Sequence, residues 1–132
     1  MPLDNNIAFK PVNIALLTVS DTRGPEDDTS GNLLAERIIA AGHKIIERAI
    51  LRDDTAMITA RLHNWIDDDH IDVVISTGGT GLTGRDVTPE ALDRVKTKDI
   101  PGFGELFRWL SFASIGTSTI QSRACAVLAR GT

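Results

Sequence analysis

Residues 71–90 read IDVVISTGGTGLTGRDVTPE, three unlike segments joined without a spacer. IDVVIST (71–77) is a short, nearly continuous apolar run rich in β-branched residues, the pattern of a strand buried on both faces of a parallel sheet. Gly78, Gly79, Gly81 and Gly84 follow, interleaved with Thr80 and Thr83. Thr88-Pro89 then opens a helix: Thr88 is the expected N-cap, and Pro89 takes the first helical position, where its missing N–H costs nothing. Leu92 and Val95 give that helix an apolar face. Strand, glycine loop and helix make half of a βαβ unit, so the fold turns on whether the rest of the chain has the same rhythm.

It does. NIALLTVS (13–20) and KIIERAIL (44–51) are two further apolar runs that read as strands. Between them, Leu34, Ile38 and Ala41 share one helical face over 32–41, with Ser30 as the expected N-cap and Gly42 just past the end. After the second strand, Asp53, Asp54 or Thr55 can cap a helix whose stripe is Ile58, Leu62, Trp65 and Ile66. Strand and helix alternate three times, which predicts an α/β domain with a parallel sheet and right-handed crossovers. Downstream, IPGFGE (100–105) reads as a turn and ELFRWLSF (105–112) as a helix with Leu106, Trp109 and Leu110 inward. IGTSTIQSR (115–123) is polar, and ACAVLAR (124–130) reads as a last strand. The first few residues look like an arm.

At 132 residues, 42% hydrophobic and 24% charged, the chain has one domain's worth of core-forming material. A net charge of −4 argues against a general nucleic-acid binder, which would normally carry a basic face. It leaves room for a phosphate ligand, because a local nest of backbone N–H groups or a metal can invert the local field. Cys125 is the sole cysteine, so no disulfide forms within the chain, and His43, His63 and His70 lack the spacing of a helical metal pair. There is no signal-peptide core and no apolar run long enough to span a bilayer, so a cytoplasmic location and no membrane partner are expected.

The glycine stretch starts at the carboxyl end of the third strand, where ligands bind in open α/β sheets. Three readings compete. It can be a structural chain reversal. It can be a dinucleotide loop, since GTGLTG (79–84) satisfies GxGxxG, but Arg85-Asp86-Val87 separates the glycines from the helix, and no P-loop lysine is present. Or it can cradle phosphate beside a cation. That third reading alone uses Asp86, because a carboxylate next to a phosphate cradle is repelled unless a cation such as Mg²⁺ lies between. Asp53, after the second strand, is the natural second carboxylate. The bland readings are a helix cap for Asp53, and a salt bridge to Arg85 or a loop hydrogen bond for Asp86.

TGGTGLTGRDVTPEAL (77–92), IPGFGE (100–105) and TSTIQSRA (117–124) together resemble the MoaB/MogA family of molybdenum cofactor biosynthesis. TVSDTRGPEDDTSGNLL (18–34) and the 102–124 segment are more similar to its MoaB branch. The resemblance implies a three-layer α/β fold with a mostly parallel central sheet, assembled as a homotrimer or homohexamer. It implies binding of molybdopterin and transfer of AMP from Mg-ATP to the pterin's terminal phosphate, with hand-off of the product to a molybdate-inserting enzyme. On this sequence, Asp53 and Asp86 match the aspartates of the adenylyl transfer and would hold Mg²⁺. Ser20, Asp21, Thr77, Gly78, Gly79, Thr80, Gly81, Glu105, Ser122 and Arg123 match molybdopterin- or phosphate-binding positions. A non-catalytic oligomeric binder of molybdopterin or a precursor is the alternative. The family continues with a further strand and a C-terminal helix, so the single domain at 1–132 is expected to lack them.

Overall fold

The computed structural model describes residues 2–132. The elements run β1 (Asn13–Val19), α1 (Thr29–Ala40), β2 (Lys44–Leu51), α2 (Thr55–Ile66), β3 (Val73–Thr77), α3 (Thr88–Val95), β4 (Lys98–Asp99), α4 (Pro101–Ile115), a 3-10 segment (Gly116–Gln121) and β5 (Val127–Leu128). Strands β1 to β3 form a parallel sheet in the order β2-β1-β3. The most apolar run is therefore the central strand, and Ile14 to Val19 are all buried.

Alternation along β1 divides the molecule into layers, because successive side chains leave a strand on opposite faces. Ala15, Leu17 and Val19 pack with Ile58, Leu62 and Trp65 of α2 and Ala91 of α3. On the other face, the Thr18 hydroxyl donates to Asp28, which caps α1, and α1 buries Ala35 and Ile38. This is the expected three-layer α/β arrangement.

Local capping departs from expectation in two places and resolves a stated choice in a third. Helix α1 starts at Thr29, capped by Asp28 and not by Ser30; the Asp28 carboxylate accepts from Gly31 N–H at 3.0 Å and from the Thr18 hydroxyl at 2.8 Å, with Arg48 at 3.3 Å. A buried carboxylate with three donors outcompetes an exposed serine. Helix α2 selects Asp54 from the three candidates, accepting from Met57 N–H at 2.9 Å. Thr88 does not cap α3: Val87 holds that position, and the Thr88 hydroxyl donates to the Gly78 carbonyl instead.

The C-terminal third departs further. Residues 100–105 are not a turn; α4 begins at Pro101. Gly104 is needed there because a Cβ would stand 2.6 Å from the Ala124 carbonyl oxygen. The last strand shortens to Val127–Leu128 and pairs antiparallel with β4, outside the parallel sheet. Leu106, Trp109 and Leu110 do not face the core: they are 54, 72 and 59% exposed. Helix α4 packs along the 3-10 segment and buries only Gly104, so Phe103, Phe107, Phe112 and Ile115 are exposed as well.

Trp65 is the largest fully buried side chain, and its indole N–H donates to Glu47 at 2.6 Å. Trp65→Ala is expected to cost about 3–5 kcal/mol in urea-induced unfolding, the range for emptying an aromatic core site. A loss under about 1 kcal/mol would show that α2 does not depend on this anchor.

Candidate functional site

In the order β2-β1-β3, chain direction across the sheet reverses at β1, and ligands of open α/β sheets bind at the carboxyl ends on either side of such a reversal. Three loops leave the sheet at that end: Ser20-Asp21 after β1, Asp53 after β2 and Gly78-Gly79 after β3. Gly78 lies so close to β1 that a Cβ would stand 2.2 Å from the Val19 carbonyl oxygen, and its φ is +95°. No other residue fits both the gap and the backbone angle.

The loops are tied by charge. Asp21 accepts the Asp53 N–H at 2.9 Å through one oxygen and the Arg85 Nε–H at 3.0 Å through the other. Those two bonds, the backbone one first, hold the Asp21 carboxyl below the usual aspartate range. The Asp53 carboxylate is the opposite case. Asp54 does the capping, and no donor among the described residues bonds the Asp53 side chain. Desolvation, then the Asp21 charge and the hydrogen bond that a protonated Asp53 carboxyl donates to Asp21, then the Asp86 charge, push its pKa up, with Arg85 opposing. Asp86 is held low, chiefly by the Thr83 hydroxyl at 2.7 Å, and it also accepts the Thr83 N–H at 3.0 Å. Of the bland alternatives for Asp86, the loop hydrogen bond is the one formed; Arg85 goes to Asp21.

The remaining expected residues are distributed as follows. Thr77 ends β3, and Thr80 lies in the glycine loop. Gly79 sits beneath the acids: a Cβ there would be 3.1 Å from an Asp53 oxygen and 2.3 Å from the Thr88 hydroxyl. The Gly81 N–H faces the Asp86 carboxylate, so that part of the loop is occupied by its own anion. The Ser20 hydroxyl accepts the Thr22 and Arg23 N–H groups, shaping the loop that carries Asp21. Arg123 grips the glycine loop, and the Ser122 hydroxyl accepts the Ala124 N–H. Glu105 is exposed on α4 and shares no hydrogen bond with the loop. Sequence reasoning missed Arg85 as a working part, and it gave Thr88 as a helix cap and Thr83 as one of the loop hydroxyls. Only the Arg85-Asp86 adjacency hinted at Arg85, and it suggested the wrong partner.

Among the described residues, no group of three or more His, Cys, Asp or Glu side chains is arranged to hold a metal ion. Mg²⁺ needs fewer protein ligands than such a group, being commonly held by one or two carboxylates with the remaining ligands from substrate phosphates and water. Asp53 fits this role because its carboxylate lacks a donor while lying in the field of two other acids. No described helix is long and apolar enough to cross a membrane.

Comparison with known proteins agrees with the fold. Residues 15–130 match the family model described as a probable molybdopterin binding domain of the molybdenum cofactor biosynthesis proteins, and the chain belongs to that family. Its relatives include molybdenum cofactor biosynthesis protein B of Escherichia coli K12, 50% identical over 124 residues that span 94% of this chain and 73% of that one. The protein of the same name from Staphylococcus carnosus is 48% identical over 120 residues, 89% of this chain and 70% of that one. Among solved structures, a molybdenum cofactor biosynthesis protein B superposes with a TM-score of 0.85 at 44% identity, covering 90% of this chain and 74% of that one. The tungsten cofactor synthesizing protein MoaB of Pyrococcus furiosus superposes at 0.82 with 35% identity, covering 95% and 78%.

The raised Asp53 pKa sets a pH signature. Because the fold disfavours the ionised form, this group lowers stability above the ordinary aspartate range, and the loss is relieved as pH falls through its raised pKa. Asp53→Asn is expected to raise Tm at pH 7, with the gain fading in acid as the wild-type carboxyl protonates. A lower Tm for the variant at pH 7, measured by thermal unfolding, would contradict the assignment.

Proposed function

We propose that this protein binds molybdopterin and transfers AMP from Mg-ATP to its terminal phosphate, giving adenylyl-molybdopterin and pyrophosphate. The observation that carries this reading is the donor-free Asp53 carboxylate over the glycine loop, at the point where three strand ends meet. The family's molybdopterin-binding description supplies the pterin half of the proposal.

The chemistry asks little of side chains. A phosphate oxygen of the pterin attacks the α-phosphorus of ATP; a P–O bond forms there, and the bond to the β-phosphate bridging oxygen breaks. The nucleophile is already an anion, so no strong base is needed, and catalysis is positioning plus charge neutralisation. Asp53 and Asp86 would hold Mg²⁺, which when bound neutralises phosphate charge. The loop amides donate to phosphate oxygens, and Thr77 and Thr80 add hydroxyls. Arg85, the cation set among Asp21, Asp53 and Asp86, keeps the acids from repelling an incoming anion. Ser20, Asp21, Glu105 and Ser122 complete the pterin pocket in this reading. The product passes to a molybdate-inserting enzyme.

A second reading is a non-catalytic oligomeric binder of molybdopterin or a precursor. It is favoured by the Asp86 carboxylate, which the Thr83 hydroxyl and N–H already hold. Either reading accommodates a homotrimer or homohexamer, because the apolar exposed side chains of α4 are of the kind that mark protein interfaces. Trp109→Glu is expected to lower the assembly state in sedimentation velocity; an unchanged sedimentation coefficient would remove α4 from the interface.

The deciding test is pyrophosphate release from Mg-ATP with purified molybdopterin. Asp86→Asn is expected to lower turnover by about 10²-fold, as for other lost electrostatic groups, while pterin affinity changes less. An equal loss of pterin binding would overturn the assigned role, and absence of release by a wild type that binds the pterin would leave the binder reading.

A further inference from the structure

The glycine loop has its carbonyls and its amides doing different work. Thr88 ties two of the carbonyls: its hydroxyl donates to Gly78 O at 2.9 Å, and its N–H donates to Gly79 O at 3.0 Å. Arg123 ties three more. Its N–H donates to Thr80 O at 2.7 Å, its Nε–H to Gly81 O at 2.7 Å and an Nη2–H to Asp86 O at 2.7 Å. Its remaining terminal nitrogen, Nη1, donates to the Glu90 carboxylate in the first turn of α3. A trans peptide points its C=O and the following N–H in opposite directions. Fixing the carbonyls of residues 78–81 therefore aims the N–H groups of Gly79, Thr80, Gly81 and Leu82 away from Thr88 and Arg123. Gly81 N–H meets Asp86, and the other three find no acceptor among the described residues.

We propose that Arg123 and Glu90 form a latch that orients the glycine loop for anion binding, making Arg123 a positioning residue and not a phosphate contact. This rests on the anion-binding reading above. Every guanidinium nitrogen already has a protein acceptor, and the planar fork suits three acceptors in fixed directions, which a lysine ammonium cannot imitate. The segment carrying Arg123 is itself pinned, since Arg108 donates to Ser122 O at 3.2 Å and Ala124 O at 3.0 Å. Glu90 completes the latch: with its carboxylate in place, the guanidinium is held against the loop and away from solvent anions.

The two roles for Arg123 predict opposite signs for one variant. Removing Glu90 frees a direct phosphate ligand and tightens binding, but it loosens a latch and weakens binding. The experiment titrates the full chain with pyrophosphate in the presence of Mg²⁺, by calorimetry, and follows the Gly79 and Thr80 amide resonances. Asp93→Ala controls for loss of one negative charge, because Asp93 pairs with Lys96 and not with Arg123. Relative to that control, Glu90→Ala is expected to weaken pyrophosphate about fivefold, the scale of a partly exposed charged hydrogen bond, and to broaden both amide signals. Arg123→Lys and Arg123→Gln are expected to lose about tenfold alike. Tighter or unchanged binding by Glu90→Ala overturns the latch, as does Arg123→Lys matching the wild type. Glu90 is half exposed, so its variant remains informative should the Arg123 variants fail to fold. A wild type that binds no pyrophosphate overturns the anion-binding reading itself, a result distinct from a failed latch in a competent binder.

Discussion

The main-chain contact between Gly78 and Val19, at the adjoining carboxyl ends of β3 and β1, is the constraint on which the rest of the site depends. β1 is buried on both faces and paired on both edges, so its end is immovable. With no Cβ at Gly78, β3 turns out of the sheet directly against that end. The loops after β1, β2 and β3 then share one small region, and Asp21 can reach both the Asp53 N–H and the side chain of Arg85, sixty-four positions along the chain. Backbone proximity comes first; the charge pattern follows from it.

That charge pattern is a compromise. Asp21 and Asp86 are satisfied by donors, whereas Asp53 is raised by burial and by its two acidic neighbours. A fold selected only for stability would give Asp53 a partner or replace it, since an uncompensated carboxylate costs free energy. Local cost without local compensation is what functional sites commonly show. The same loop resolves a second conflict. Its amides can be offered to an anion only if its carbonyls are tied elsewhere, and Thr88 and Arg123, both later in sequence, supply the ties.

Helix α4 stands apart from this economy. Its sequence is apolar enough for a core, yet it packs mainly on the 3-10 segment and exposes aromatic side chains on several sides. Its contribution to the site is indirect: Arg108, on this helix, holds the segment that carries Arg123. A helix that faces outward and also braces the loop links its exposed apolar surface to the site through ordinary hydrogen bonds.

The sequence by itself determined the α/β class, the three parallel strands and the place of the glycine loop. Each rests on local pattern: unbroken apolar runs, a 3.6-residue stripe, and glycines at a strand end. It brought Asp86 forward as a carboxylate beside a glycine-rich loop, and Asp53 because it directly follows the second strand. Tertiary structure decided which acids are free. Asp53 and Asp54 are indistinguishable as caps until α2 chooses one, and Arg85 pairs with Asp21 because of strand order, which no local window contains. The same holds for Ser30 losing its cap to Asp28, whose buried partners Thr18 and Arg48 come from β1 and β2. It holds too for α4, whose apolar residues specify burial against something but not against what. Hydrophobic period is a property of neighbours along the chain, whereas the pairing of charges is a property of neighbours in space.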